Sequence, residues 1–102
     1  MITHIVLLKL KKSAKPAQIR ALFAALAGLK KKIPGIVSFE HGPYSSPEGF
    51  NKGYTHGFVM TFKTARARDA YLPHPEHEKV KAKVLALLEG GLAGGVAFDF
   101  ES

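Results

Sequence analysis

The run ITHIVLLKL, residues 2–10, sets an imidazole, His4, in a row of hydrocarbon. Successive strand side chains point to opposite faces, so His4 shares a face with Val6, Leu8 and Leu10. Ile5 and Leu7 fall on the other face. A strand with two apolar faces belongs inside a protein, and a histidine on one of them needs an explanation. The run YTHGFVMTF, residues 54–62, repeats the pattern, with His56 alternating with Phe58, Met60 and Phe62. In HPEHEKVKAKVLALL, residues 74–88, His74 begins a helical segment and His77 lies on its Val80, Val84 and Leu88 side. These periodicities turn His4, His56 and His77 toward one core. A buried polar group without a partner costs roughly 1–3 kcal/mol, against a domain stability of about 5–15 kcal/mol. The three rings are therefore expected to meet in a pocket, paired with one another, a carboxylate, water or a ligand.

The rest of the chain supplies the frame. After the strand at 2–10, Ser13 and Pro16 open a helix over residues 16–32, with proline in its first turn. Its apolar stripe runs Ile19, Leu22, Phe23, Leu26 and Leu29, and Pro34-Gly35 stops it. A second strand spans 36–44, a loop 45–53, and a third strand 54–63. Thr64 is a candidate N-cap for a short helix over 64–72. Pro73 ends that helix and Pro75 starts the last, over 75–88. Residues 95–102, GVAFDFES, close the chain as a fourth strand. The order is βαββαβ, which predicts one α+β domain over residues 1–102: a ferredoxin-like, four-stranded antiparallel sheet with helices on one face. Ile5 and Leu7, with Phe98 and Phe100 on the last strand, leave the opposite sheet face apolar and without helices to cover it. A second copy packed sheet against sheet is the simplest cover, so a homodimer is expected.

Composition narrows the function. The 102 residues suffice for a single core, and 46% of them are hydrophobic, which excludes extended disorder. There is no cysteine, hence no disulfide framework, thiolate nucleophile or cysteine-based zinc site. The N-terminal stretch is apolar and then basic, the reverse of a secretory signal, and no apolar run reaches membrane-span length. A soluble, cytoplasmic protein is expected. The net charge of +7 comes from lysines clustered at helix faces and ends, including Lys30 to Lys32 at the end of the first helix. There is no tryptophan, and the phenylalanines fall on apolar strand faces, so neither nucleic acid nor a membrane is expected as partner.

The candidate chemistry centres on Tyr71 and His77, joined by the rigid Pro73-His74-Pro75 corner. His77 lies in the first turn of its helix, where the dipole and desolvation both disfavour imidazolium. A neutral imidazole is a competent base near neutral pH, and a phenol can donate to a developing oxyanion. Proton abstraction beside a carbonyl needs those two roles and no cofactor. Asp99 shares a face with Ala97 and is a candidate carboxylate to orient one imidazole. His41, near the end of the second strand, is expected to be exposed and without a role. Three histidines and an aspartate also suit a divalent metal, but they lack the tight local spacing of such sites, so no metal is expected.

The pattern of His4 to Lys9, Pro34-Gly35, Gly53-Tyr-Thr-His56 and Tyr71-Leu-Pro-His-Pro-Glu-His77, in this order, resembles the stress-responsive α/β-barrel (Dabb) domain. The resemblance covers nearly the whole chain and implies a dimeric α/β barrel. It also implies a cofactor-free site: in a plant polyketide cyclase of the family, the catalytic His and Tyr are similar to His77 and Tyr71. Pocket residues there are similar to His4, His56 and Asp99, with Phe23 on the wall. Pro73 departs from the apolar residue expected beside the tyrosine, and the wall around Phe23 and Ala24 differs. Other family members are stress-associated proteins with a structural role. Two functional classes follow: conversion or binding of a small, partly apolar carbonyl or polyketide-like compound, or a non-catalytic, stress-protective barrel. Cofactorless monooxygenases and haem-degrading proteins of this fold are a third class, less supported without a tryptophan or haem anchor. A solvent-reachable cavity of roughly 300 Å³ or more separates the first from the second.

Overall fold

In a computed structural model describing residues 1–102, the strand Ile2–Leu8 (β1) lies between two antiparallel neighbours. These are β3 (His56–Phe62) and β4 (Gly95–Glu101), while β2 (Ile36–Pro43) flanks β3. The sheet order is therefore β2-β3-β1-β4. The helices are α1 (Pro16–Lys32), α2 (Ala65–Tyr71) and α3 (Pro75–Leu87). This is the ferredoxin-like α+β arrangement.

Register explains which side chains meet. His4 stands opposite Met60 on β3 and Asp99 on β4, and Ile2 opposite Phe62. Directly opposed residues share a face, so this row faces the helices. There Leu22, Leu26 and Leu29 of α1 join Met60, Phe62 and Tyr71 in one buried cluster. On β2 the pairing slips between Ile36 and Ser38. The bulge leaves Val37 exposed and brings Phe39 and His41 opposite Met60 and Phe58. The regular strand expected over 36–44 therefore carries an extra residue. The first strand is also shorter than expected: Leu10 returns to the sheet margin only as an isolated bridge to Leu88. A 3-10 turn at Gly91–Gly94, absent from the sequence reading, leads into β4.

Local chemistry sets the helix ends. Thr64 Oγ1 accepts the Ala67 N–H at 3.1 Å, the expected cap of α2. At α3 the cap is His74, whose Nδ1 accepts the Glu76 N–H at 3.1 Å. After α1, Gly35 turns the chain with φ of +92°, a region costly for any side chain. A Cβ there would stand 2.5 Å from the Ala67 Cβ of α2.

The opposite face of the sheet carries Ile5, Leu7, Val59, Val96, Phe98 and Phe100. Phe98 is 63% exposed and Phe100 46%, with no element of the chain above them.

Gly35→Ala is expected to lower stability by about 1–3 kcal/mol through backbone strain and the clash with Ala67. Denaturant unfolding measures it. In an Ala67→Gly background the same substitution should cost less, because only the strain remains.

Candidate active site

His4 and Asp99 face each other across the β1–β4 ladder, and the imidazole Nδ1 donates to Asp99 Oδ1 at 2.6 Å. An ionised carboxylate only accepts, which fixes this tautomer. Arg68 of α2 donates from Nη1 to the other carboxylate oxygen at 2.9 Å, and from Nε to Asp69 at 2.8 Å. Burial pushes the Asp99 carboxyl up, but the hydrogen bonds from His4 and Arg68 outweigh it and hold the group below its ordinary value. His4 is thereby buried at 7% exposure with its polar nitrogen satisfied. Its ring packs against Phe58, Phe62 and Tyr71, with centroids 6.1–6.2 Å apart.

Tyr71 ends α2 one helical turn beyond Arg68 and is 1% exposed. Its ring lies 4.2 Å from that of His77, centroid to centroid. The Pro73-His74-Pro75 corner folds α3 back so that His77 Nδ1 donates to the Leu72 carbonyl at 2.8 Å. That carbonyl is one of the open groups at the end of α2. With Nδ1–H spent there, Nε2 keeps its lone pair. Burial lowers the pKa of His77; the Leu72 contact and Glu78 oppose this, while Lys81 and His4 add to it. The imidazole is therefore a neutral base at pH 7. Burial raises the pKa of Tyr71, so its phenol stays protonated. The hydroxyl has no partner within the chain, yet no fully buried side-chain polar atom is left unsatisfied. The phenol oxygen therefore reaches open space.

That space is a cavity of about 280 Å³ between α3 and the β1–β4 half of the sheet. Tyr71, His77 and His4 supply its polar groups, with Lys81 at the α3 side, and Val6, Leu26 and Leu88 are among its apolar walls. Its size falls just short of the roughly 300 Å³ at which the usual range for small-molecule sites begins.

The expectation that His4, His56 and His77 share one hollow is corrected for His56, and with it for Phe23. His56 stands opposite Leu8, four residues along the strand pair from His4, and lines none of this cavity. Its Nδ1 bonds Thr55 Oγ1 at 2.9 Å, and its pKa is lowered by burial and by the neighbouring His41. Phe23 caps that end of the sheet, stacked on His41 at 4.5 Å and on His56 at 5.8 Å. His41 is exposed, as expected, but packs on Phe23. The outcome is two clusters: His4, Tyr71, His77 and Asp99 in one, Phe23, His41 and His56 in the other. No three His, Asp or Glu side chains are grouped to hold a metal ion. Arg68 and the Leu72 carbonyl were missed in the sequence. Arg68 precedes Tyr71 by one turn, a weak signal; a backbone carbonyl gives none.

A family model described as the stress responsive A/B barrel domain matches residues 2–102. A stress-response A/B barrel domain-containing protein of Arabidopsis thaliana is 31% identical over 87 residues, 84% of this chain and 76% of that protein. Olivetolic acid cyclase of Cannabis sativa is 28% identical over 76 residues, 74% of this chain and 75% of the cyclase. Among solved structures, a dimeric ferredoxin-like protein of unknown function from Jannaschia superposes with a TM-score of 0.89 at 32% identity. It covers 99% of this chain and 98% of its own.

The ring of His77 is expected to titrate below the ordinary 6.5, followed by NMR of its carbon-bound protons. The unfolded state then binds the proton first as pH falls. Stability should therefore drop as pH falls from 6.5 toward the lower folded value and level off beneath it. His77→Gln should make that segment of the stability curve shallower, with His56, whose pKa is also lowered, supplying the remaining slope.

Proposed function

The chain belongs to the stress-responsive A/B barrel domain family, and from that premise we propose that it binds and converts a small, partly apolar carbonyl compound without a cofactor. His77 Nε2 is the base that removes a proton beside the carbonyl. The Tyr71 hydroxyl donates to the carbonyl oxygen as negative charge develops there. Asp99, backed by Arg68, orients His4, which forms the floor against which the ligand sits. The observation that carries this reading is the pairing of a buried phenol without an internal partner and a neutral imidazole with one free nitrogen, both opening on one apolar cavity. Apolar walls strengthen such hydrogen bonds. Likeness to olivetolic acid cyclase supports small-molecule chemistry of the cyclase, lyase or isomerase kind as the class.

The same reading makes the protein a homodimer joined through the Phe98 and Phe100 face, as the dimeric description of the Jannaschia protein supports. Its location would be cytoplasmic, in keeping with the cysteine-free sequence; no helix is long and apolar enough to cross a membrane.

Exchange of the α-carbon protons of ethyl acetoacetate into heavy water, read by NMR, tests the chemistry. The protein should accelerate it, and His77→Ala and Tyr71→Phe should each reduce the acceleration by about 10²-fold with circular dichroism unchanged. No acceleration and no ligand-induced shift in the unaltered protein would favour the non-catalytic, stress-protective barrel. Phe98→Asp should convert the dimer to a monomer in sedimentation velocity; an unchanged mass would place the interface elsewhere.

A further inference from the structure

The face of α3 that borders the cavity presents His77, Lys81, Val84 and Leu85 at helical spacing, with Leu88 just beyond the helix end. Lys81 interrupts that stripe one turn after His77, where an aliphatic residue would complete the wall. A lysine in such a place either carries its charge out to water along an apolar stem or serves an anion. Lys81 is exposed, so its stem can reach water, and it is also the one Lys or Arg side chain that lines the cavity. Lys79 on the same helix approaches Glu76 at 3.6 Å, and Lys32 of α1 approaches the same carboxylate at 3.7 Å; Lys81, like the remaining lysines, has no acidic partner, but it alone of them borders the cavity. No carboxylate lines the cavity, and Asp99 behind His4 is already committed to His4 and Arg68. Lys81 is close enough to His77 for its charge to disfavour the imidazolium there. The polar groups of the cavity are thus one ammonium, one phenol donor and two imidazoles, against apolar walls.

From this we propose that the ligand of the cavity is an anion with a short apolar body, its carboxylate held by Lys81 at the mouth and its carbonyl end directed to Tyr71 and His77. This rests on the reading of the cavity as the binding site and adds the substrate class: oxo acids bound in preference to neutral carbonyl compounds, which still enter more weakly.

Hexanoate and its neutral isostere hexanamide separate the two ideas, with NMR shifts of the His77 and Tyr71 rings as the readout. Hexanoate should bind about tenfold more tightly, as expected for a hydrogen bond to a charged group, and the difference should shrink with added salt. Lys81→Gln should abolish the preference. Lys83→Gln, on the same helix but away from the cavity, should keep it. Equal binding of both probes to the unaltered protein would overturn the anion proposal while leaving the site in place. A preference that survives Lys81→Gln would assign it to the overall positive charge and overturn the proposal equally. Failure of both probes to shift either ring would overturn the proposal together with the cavity as a binding site.

Discussion

The contacts from His4 to Asp99 to Arg68 join β1, β4 and α2 through side chains, and so add the helix layer to the backbone ladder that already pairs the two strands. Each member makes the next tolerable. An imidazole at the centre of the sheet needs an acceptor, or it forfeits roughly 1–3 kcal/mol. A half-buried carboxylate in turn needs more than one donor to remain ionised there. The guanidinium meets that need from the helix layer, and so ties α2, which packs on β3, across to the β4 edge of the sheet. Tyr71, one turn further along α2, is thereby set over His4. The position of the phenol is a consequence of how the buried imidazole is neutralised.

The three rings at the cavity hold different freedoms. His4 has Nδ1 bound to a carboxylate, and His77 has Nδ1 bound to a backbone carbonyl. Tyr71 alone of the three makes no internal hydrogen bond, while each imidazole keeps Nε2 free. Such a set is pre-oriented: the imidazole tautomers are set before any ligand enters, and the one mobile donor is the group that meets developing charge. Preorganised donors in an apolar enclosure need little rearrangement during reaction, which is the largest single contribution such sites make. The α2–α3 corner matters for the same reason. Two prolines restrict it, and it presents the last carbonyl of one helix to the first turn of the next.

The fold was readable because alternation and helical spacing report which face a side chain takes. They do not report how far along the strand pair it lies. His4 and His56 do share a face, but their register positions are separated by four residues, about 13 Å at strand rise. His56 therefore joins Phe23 and His41 at the other end of the sheet instead of the cavity. Tyr71 and His77 were legible as a pair because a short, rigid corner limits the distance between them. Asp99 was legible as a face partner, though its imidazole is His4 and its second partner, Arg68, is distant in sequence. The bulge at Val37 left no decisive signal, since it depends on backbone pairing that the side chains tolerate without dictating; the His74 cap left none because histidine is not among the residues favoured at that position.

β4 joins the two halves of the molecule's chemistry. Asp99 points toward the helices and cavity, while Phe98 and Phe100 on either side of it point to the bare sheet face. A slip of one residue in the β1–β4 register would expose Asp99 and drive a phenyl ring against His4. The edge strand has only one neighbour to resist that slip. The Asp99 contacts with His4 and Arg68 resist it from inside. Burial of Phe98 and Phe100 against a second copy would resist it from outside. Association across the outer face would then do more than remove apolar surface from water. It would hold the strand in the one register that keeps the carboxylate behind His4 and the cavity in shape.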